Sequence, residues 1–128
     1  MIKHIIRTAS AVFIILVLSH CANMRAPTGG PKDIYAPRVI ESDPPNYTTR
    51  FDSKKIILRF DEFVTVSDVV SEVFISPPLK NTPDIRTRGK SVIINIQEEL
   101  LDSSTYSIFF GNSIKDITEN NPIENYNY

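Results

Sequence analysis

The sequence predicts an all-β fold, an antiparallel β-sandwich that follows an export leader and an extended tether. Three observations predict it. Beyond the leader, large apolar residues recur at every second position in several short runs, the period of a strand with one buried face. Turn residues cut these runs at short intervals, as in sheet proteins with many short strands. Nine prolines in 128 residues argue against long helices, because a proline inside a helix removes a hydrogen bond and clashes with the preceding turn.

The first element is the leader. Met1–Cys21 reads MIKHIIRTASAVFIILVLSHC. Lys3, His4 and Arg7 give it a basic start, and an apolar run follows from Ala9 to Leu18. That run, about ten residues, matches the apolar region of a signal peptide, usually about 7–15 residues behind a positive start. A bilayer span needs roughly 20. A buried core helix is the competing reading, and the position at the extreme N-terminus behind basic residues speaks against it.

Leu18-Ser19-His20-Cys21 resembles the lipobox of bacterial lipoproteins. The resemblance implies that the Cys21 thiol receives a diacylglyceryl group, that a peptidase cuts before Cys21, and that the new amine is acylated. Acyl burial contributes about 0.8 kcal/mol per CH₂, so several chains anchor firmly where one alone is marginal. His20 departs from the pattern, which has a small residue there, and an uncleaved signal anchor is the alternative. Cys21 is the only cysteine, so no intrachain disulfide is expected. A catalytic thiol would need histidine and carboxamide or carboxylate partners. His4 and His20 both fall in the segment expected to be removed, which argues equally against a histidine metal site or a serine triad.

Loss of residues 1–20 takes Lys3 and Arg7 with it and moves the formal net charge from −1 to −3. No clustered basic surface of the kind nucleic acid requires is visible, and the acids are scattered rather than gathered in a tail. Residues 22–37, ANMRAPTGGPKDIYAP, read as a flexible tether, with Pro27, Gly29, Gly30, Pro31 and Pro37 breaking any period. Gly29-Gly30-Pro31-Lys32 lacks the spacing of a phosphate loop and neither follows a strand nor opens a helix.

The strands follow in order. Arg38–Ser42 is the first, stopped by Asp43-Pro44-Pro45-Asn46. In Lys55–Phe60, Ile56, Leu58 and Phe60 share one face, with Ile57 and Arg59 opposite. Phe63, Val64 and Val66 continue the pattern past Asp61-Glu62. Ser67–Glu72 reads as one helical turn, capped by Ser67 with Val70 turned inward. Val73–Ser76 is a strand ended by Pro77-Pro78. Asp84–Thr87 and Ser91–Ile96 flank Arg88-Gly89-Lys90 as a hairpin, with Val92, Ile94 and Ile96 on one face. Thr105–Phe110 places Tyr106, Ile108 and Phe110 together, and Gly111 ends it. Pairing such inner faces supplies the core, at roughly 1.5–3 kcal/mol per fully buried side chain.

From Ala36 the chain resembles a bacterial Ig-like domain of the SbsA type. The matching residues are Ala36-Pro37-Arg38-Val39-Ile40, Ser42-Asp43-Pro44-Pro45-Asn46, Ile56–Val64, Leu101–Tyr106 and Ile114-Lys115-Asp116-Ile117. Cys21-Ala22 with Pro27–Asp33 resembles the start of Gram-negative envelope lipoproteins carrying such a domain. The resemblance implies an Ig-like sandwich over 37–128, a leader over 1–20 and a lipid-anchored linker over 21–36. It also implies a further strand after the loop at 116–121, of which Asn125-Tyr126-Asn127-Tyr128 is only the beginning. A missing remainder would leave an open edge. Tyr106 has two readings. One is a tyrosine corner, its hydroxyl bonded to backbone upstream; the other is a core tyrosine with its hydroxyl at the rim. Both are structural.

The candidate chemistry is sparse. Asp61 and Glu62 are the tempting carboxylate pair, but neighbours on a strand point to opposite faces, and acid–base work needs both at one site. Asp116, Glu119, Asn120 and Asn121 offer oxygen ligands of the kind Ca²⁺ takes without the EF-hand spacing; an Asn-rich turn is the simpler reading. Asn46-Tyr47-Thr48 fits a glycosylation sequon and reads as a turn. Tyr126 and Tyr128 are possible sugar contacts, or the opening of the last strand. No catalytic residue, cofactor or metal is expected. The resemblance implies a non-enzymatic, exported module at the cell envelope, held at the outer membrane through Cys21. It would act as a spacer or as a binder of an envelope protein or glycan. The alternative is an accessory domain of a longer envelope enzyme or adhesin whose active part lies beyond residue 128.

Overall fold

In the computed structural model the described residues are Lys3 and 29–128; the leader and Cys21 otherwise lie outside them. Two antiparallel sheets face each other. The first has the order β1-β2-β6-β5, from β1 (Val39–Asp43), β2 (Lys55–Phe60), β6 (Ser91–Asn95) and β5 (Asp84–Arg88). Its register runs Val39↔Phe60 to Asp43↔Ile57 on one side of β2 and Lys55↔Asn95 to Arg59↔Ser91 on the other. The alternation read from the sequence holds. Ile56, Leu58, Phe60, Val92, Ile94 and Ile96 are buried, while Arg59 meets Glu41 on the solvent face.

The second sheet is built from interrupted strands. β3 (Val64–Val66) pairs with β8 (Ile114–Asp116), and β4 (Phe74–Ser76) pairs with β7 (Ser107–Phe109). Both ladders join the same two stretches of chain in the same antiparallel sense. They are therefore one strand pair interrupted in the middle. Residues 121–128 return along the far side. Ile123 N–H donates to the Ile114 carbonyl, Phe110 N–H to the Tyr126 carbonyl, and Ile108 and Tyr128 exchange both bonds. The edge of β7 is thus paired by the terminal residues. Tyr126 and Tyr128 pack on the core, and Asn127 faces out.

Two sequence expectations need correction here. The strand does not end at Gly111. It kinks there, with Gly111 at φ +53° and Ser113 N–H closing onto the Phe110 carbonyl, and resumes as β8. A glycine in a strand often marks such a bulge. Opposite the kink sits α1 (Val69–Glu72). Ser67 does not cap it. Its N–H donates to the Ser113 carbonyl at 2.9 Å, extending the β3–β8 ladder, so the turn starts one residue later, from a left-handed Asp68. A one-residue delay rotates a helix face by about 100°. Val69 and Val73 are consequently half-buried, and Val70 is 95% exposed rather than inward.

Gly111 and α1 are matched. A Cβ at Gly111 would meet the Glu72 carboxylate and lie 3.0 Å from the Glu72 carbonyl oxygen, and Glu72 also accepts the Asn112 N–H at 3.1 Å. Gly111→Ala is therefore expected to lower stability by about 1–3 kcal/mol, the cost of a strained left-handed residue plus displacement of α1. Urea melts of the two chains test it; equal midpoints would contradict it.

Candidate functional site

The sandwich has two poles. The upper pole carries the turns at 61–63, 89–90 and 117–120, with residues 33–38 running onto it. The lower pole carries the loops at 44–54, 77–83 and 97–106.

Most of the candidate carboxylates cluster at the upper pole, and their bonding is internal. Asp61 pins β1: its carboxylate accepts the Arg38 N–H at 2.8 Å, and its own N–H donates to the Arg38 carbonyl at 3.1 Å. Lys90 donates to the Asp61 carbonyl at 2.6 Å and stands 5.7 Å from the Phe63 ring centroid. Partial burial raises the Glu62 carboxyl above its ordinary range, helped by the negative charges of Asp116, Asp61, Asp33 and Glu119. Asp116 is 1% exposed. It accepts the N–H groups of Glu119, Asn120 and Asn121 at 2.6, 2.9 and 3.1 Å. Burial alone would raise its pKa, but these amides outweigh burial and hold the carboxyl below its ordinary value. Its oxygens thus fold the loop they belong to. Asn121 carries the order outward, donating to the carbonyls of Asp33 and Tyr35 at 3.2 Å each. Among the described residues no group of His, Cys, Asp or Glu side chains is placed to hold a metal.

The lower pole is hollow. A cavity of about 1030 Å³ opens between its loops. Its floor is the lower end of the core, with the buried Ile56, Ile96 and Ile108 and the half-buried Ile75 from both sheets, and Leu79 from the loop after β4. Tyr106 shapes one wall. Its hydroxyl accepts the Leu101 N–H at 3.1 Å, tying the start of β7 to the loop five residues upstream. Glu98 ties a second loop in, accepting the N–H groups of Lys80 and Asn81 at 3.0 and 2.7 Å. Tyr128 closes a third side, its hydroxyl donating to the Pro44 carbonyl at 2.9 Å. Asn46-Tyr47-Thr48 does form a turn on this rim, with Thr48 N–H donating to the Pro45 carbonyl. The sequence pattern pointed to none of this cavity. Its lining comes from loops far apart in the chain, and the readings of Asn46-Tyr47-Thr48, Tyr106 and Tyr128 do not place them around one cavity.

The wall bond is directly testable. Tyr106→Phe keeps the ring and removes the acceptor, leaving Leu101 N–H without its partner. A loss of about 1 kcal/mol is expected, and an unchanged unfolding midpoint would show the bond to be idle.

The strand order fits a known class. With β3 and β4 as one strand, β7 and β8 as another, and residues 121–128 as the last, the first, second, fifth and fourth strands form one sheet. The third, sixth and seventh form the other. That is the arrangement of Ig-like β-sandwiches. The chain belongs to the bacterial Ig-like domain family, whose pattern matches residues 33–128. Domains of this family are generally non-catalytic and typically extracellular or surface-exposed. Comparison with curated proteins and with solved structures returns no match. Among the described residues no helix is long and apolar enough to cross a membrane.

Proposed function

We propose that this Ig-like domain, of the SbsA type, is exported by residues 1–20, lipidated at Cys21 and held at the cell envelope. There it acts as a spacer that can also engage an envelope protein or glycan. The observation that carries the spacer role is the run of the chain from one pole to the other, with residues 33–38 at the upper pole and the seventh strand, 121–128, running down to the lower one. Residues 33–38 run onto the upper pole, tied by Asn121 and Asp61, and Tyr128 lies at the lower pole against Pro44. A domain entered at one pole and left at the other adds its whole length to a tether. Tyr106 serves this role mechanically, by fixing the loop at the lower pole.

The anchor is tested by metabolic labelling with palmitate. Wild type is expected to take up label, whereas Cys21→Ala takes up none. Label persisting in the variant would rule out Cys21 as the lipid site.

A further inference from the structure

We propose that the cavity at the lower pole is a binding site for a neutral amphiphile, an alkyl or acyl chain carrying an uncharged, hydroxyl-rich head group. The volume, about 1030 Å³, stands at the upper end of small-molecule sites, roughly 300–1,000 Å³. The floor is aliphatic, formed by isoleucines from both sheets with Leu79, and takes the chain. The rim takes the head. Only two charged side chains line it, Arg50 and Asp102, and their signs cancel. Its other polar groups are hydroxyls and amides, including Thr48, Thr49, Ser104 and Thr105. Hydroxyls both donate and accept, which suits a sugar or glycerol head. A full charge on the head would be attracted by one rim residue and repelled by the other.

The backbone of the rim gives a second, independent observation. Tyr47, Arg50 and Ser103 all adopt left-handed φ, at 64°, 56° and 56°. None is a glycine, and Tyr47 is 93% exposed, so packing of its ring does not account for the conformation. Non-glycine residues held in this region cluster at binding sites, where the strain is part of the preorganisation. Of the six such residues among those described, these three lie in two separate loops beside this one mouth. The inference concerns this pole alone and stands whether or not Cys21 carries lipid.

The test uses the full chain bearing Cys21→Ala, with isoleucine, leucine and valine methyl groups labelled for NMR. Octyl, nonyl and decyl maltosides are titrated separately, each below its micelle threshold. Saturable shifts are expected at Ile56, Ile75, Ile96 and Ile108, with Ile114 and Val64 at the other pole unmoved. Affinity should tighten about three- to fourfold per added methylene. Decanoate and decyltrimethylammonium should bind at least tenfold more weakly than decyl maltoside. Leu79→Trp, which fills the floor, should abolish the shifts; should that variant fail to fold, Ser104→Trp at the mouth serves instead. Several results would overturn the proposal. They are the absence of saturable shifts, shifts confined to residues 1–20 or spread over both poles, charged chains binding as tightly as the maltoside, and an unchanged titration in the blocking variant.

Discussion

Replacing Phe110 with alanine is expected to cost about 3–5 kcal/mol, the range for a large aromatic removed from a packed core. Phe110 is fully buried and lies on the sixth strand, between the other sheet and the returning terminal residues. Its ring meets Tyr126 with centroids 5.9 Å apart and planes tilted by 35°, and its N–H donates to the Tyr126 carbonyl at 3.0 Å. Truncation opens a cavity on the inner face and leaves Tyr126 without its partner. Native domains are stable by only about 5–15 kcal/mol in total, so this one change should remove much of the margin. Val70→Ala is the control. Val70 faces solvent, and exposed substitutions of this kind usually stay within about 0.5 kcal/mol. Urea unfolding of the three chains decides the matter. A Phe110→Ala loss no larger than that of Val70→Ala would mean that the inner face is not the seat of stability.

The contrast between Phe110 and Val70 also shows where the sequence could be read. Strands with one buried face carry a period-two signal that burial enforces, since a one-residue slip turns the whole apolar row to solvent. Ile56, Leu58, Phe60, Val92, Ile94 and Ile96 were legible for that reason, and so was the inward pair Ile108 and Phe110. A single helical turn carries no such redundancy. Whether Ser67 capped the turn or continued a ladder depended on Ser113, which lies far away in sequence. Gly111 was ambiguous in the same way. A glycine after an apolar run ends a strand or bulges it, and only the presence of α1 opposite decides between the two.

The sites divide similarly. Asp116 was visible as an oxygen-rich loop, although that composition does not say whether its oxygens face a metal or the loop's own amides. The lower cavity gave no signal at all, because its rim is assembled from short loops whose left-handed positions are filled by tyrosine, arginine and serine, not by the residue types that favour such a conformation. Tyr106 stood out only through the Leu-turn-Thr-x-Tyr pattern, and the distance to Leu101 N–H gives it a partner.

Asp116→Ala is expected to lower stability at neutral pH by about 3 kcal/mol. Hydrogen bonds to a charged group contribute about 1.5–3 kcal/mol each, and removal of the carboxylate affects three amides at once; relief of the carboxylate's own burial offsets part of that sum. The damage should not stay local. Without its turn fixed, Asn121 loses its hold on the carbonyls of Asp33 and Tyr35, and the lead to β1 loosens. The same residue sets an acid limb. Its folded pKa lies below the ordinary 3.8, so its contribution is present in full above that value. It is lost as pH falls through the depressed one, because the unfolded chain then binds the proton more readily. Glu62 acts in the opposite sense. Its folded pKa is raised, so its ionisation weakens the fold as pH rises through that value, and protonation relieves it in mild acid. The quantity that isolates Asp116 is the difference between wild type and Asp116→Asn, which keeps the shape and removes the charge. That difference should be widest near pH 7 and shrink steadily below about pH 4, where the wild-type carboxylate is itself taking up a proton. A gap that stays constant down to pH 2 would mean that the three amides do not depend on the charge of Asp116, and the account of the upper pole would fail with it.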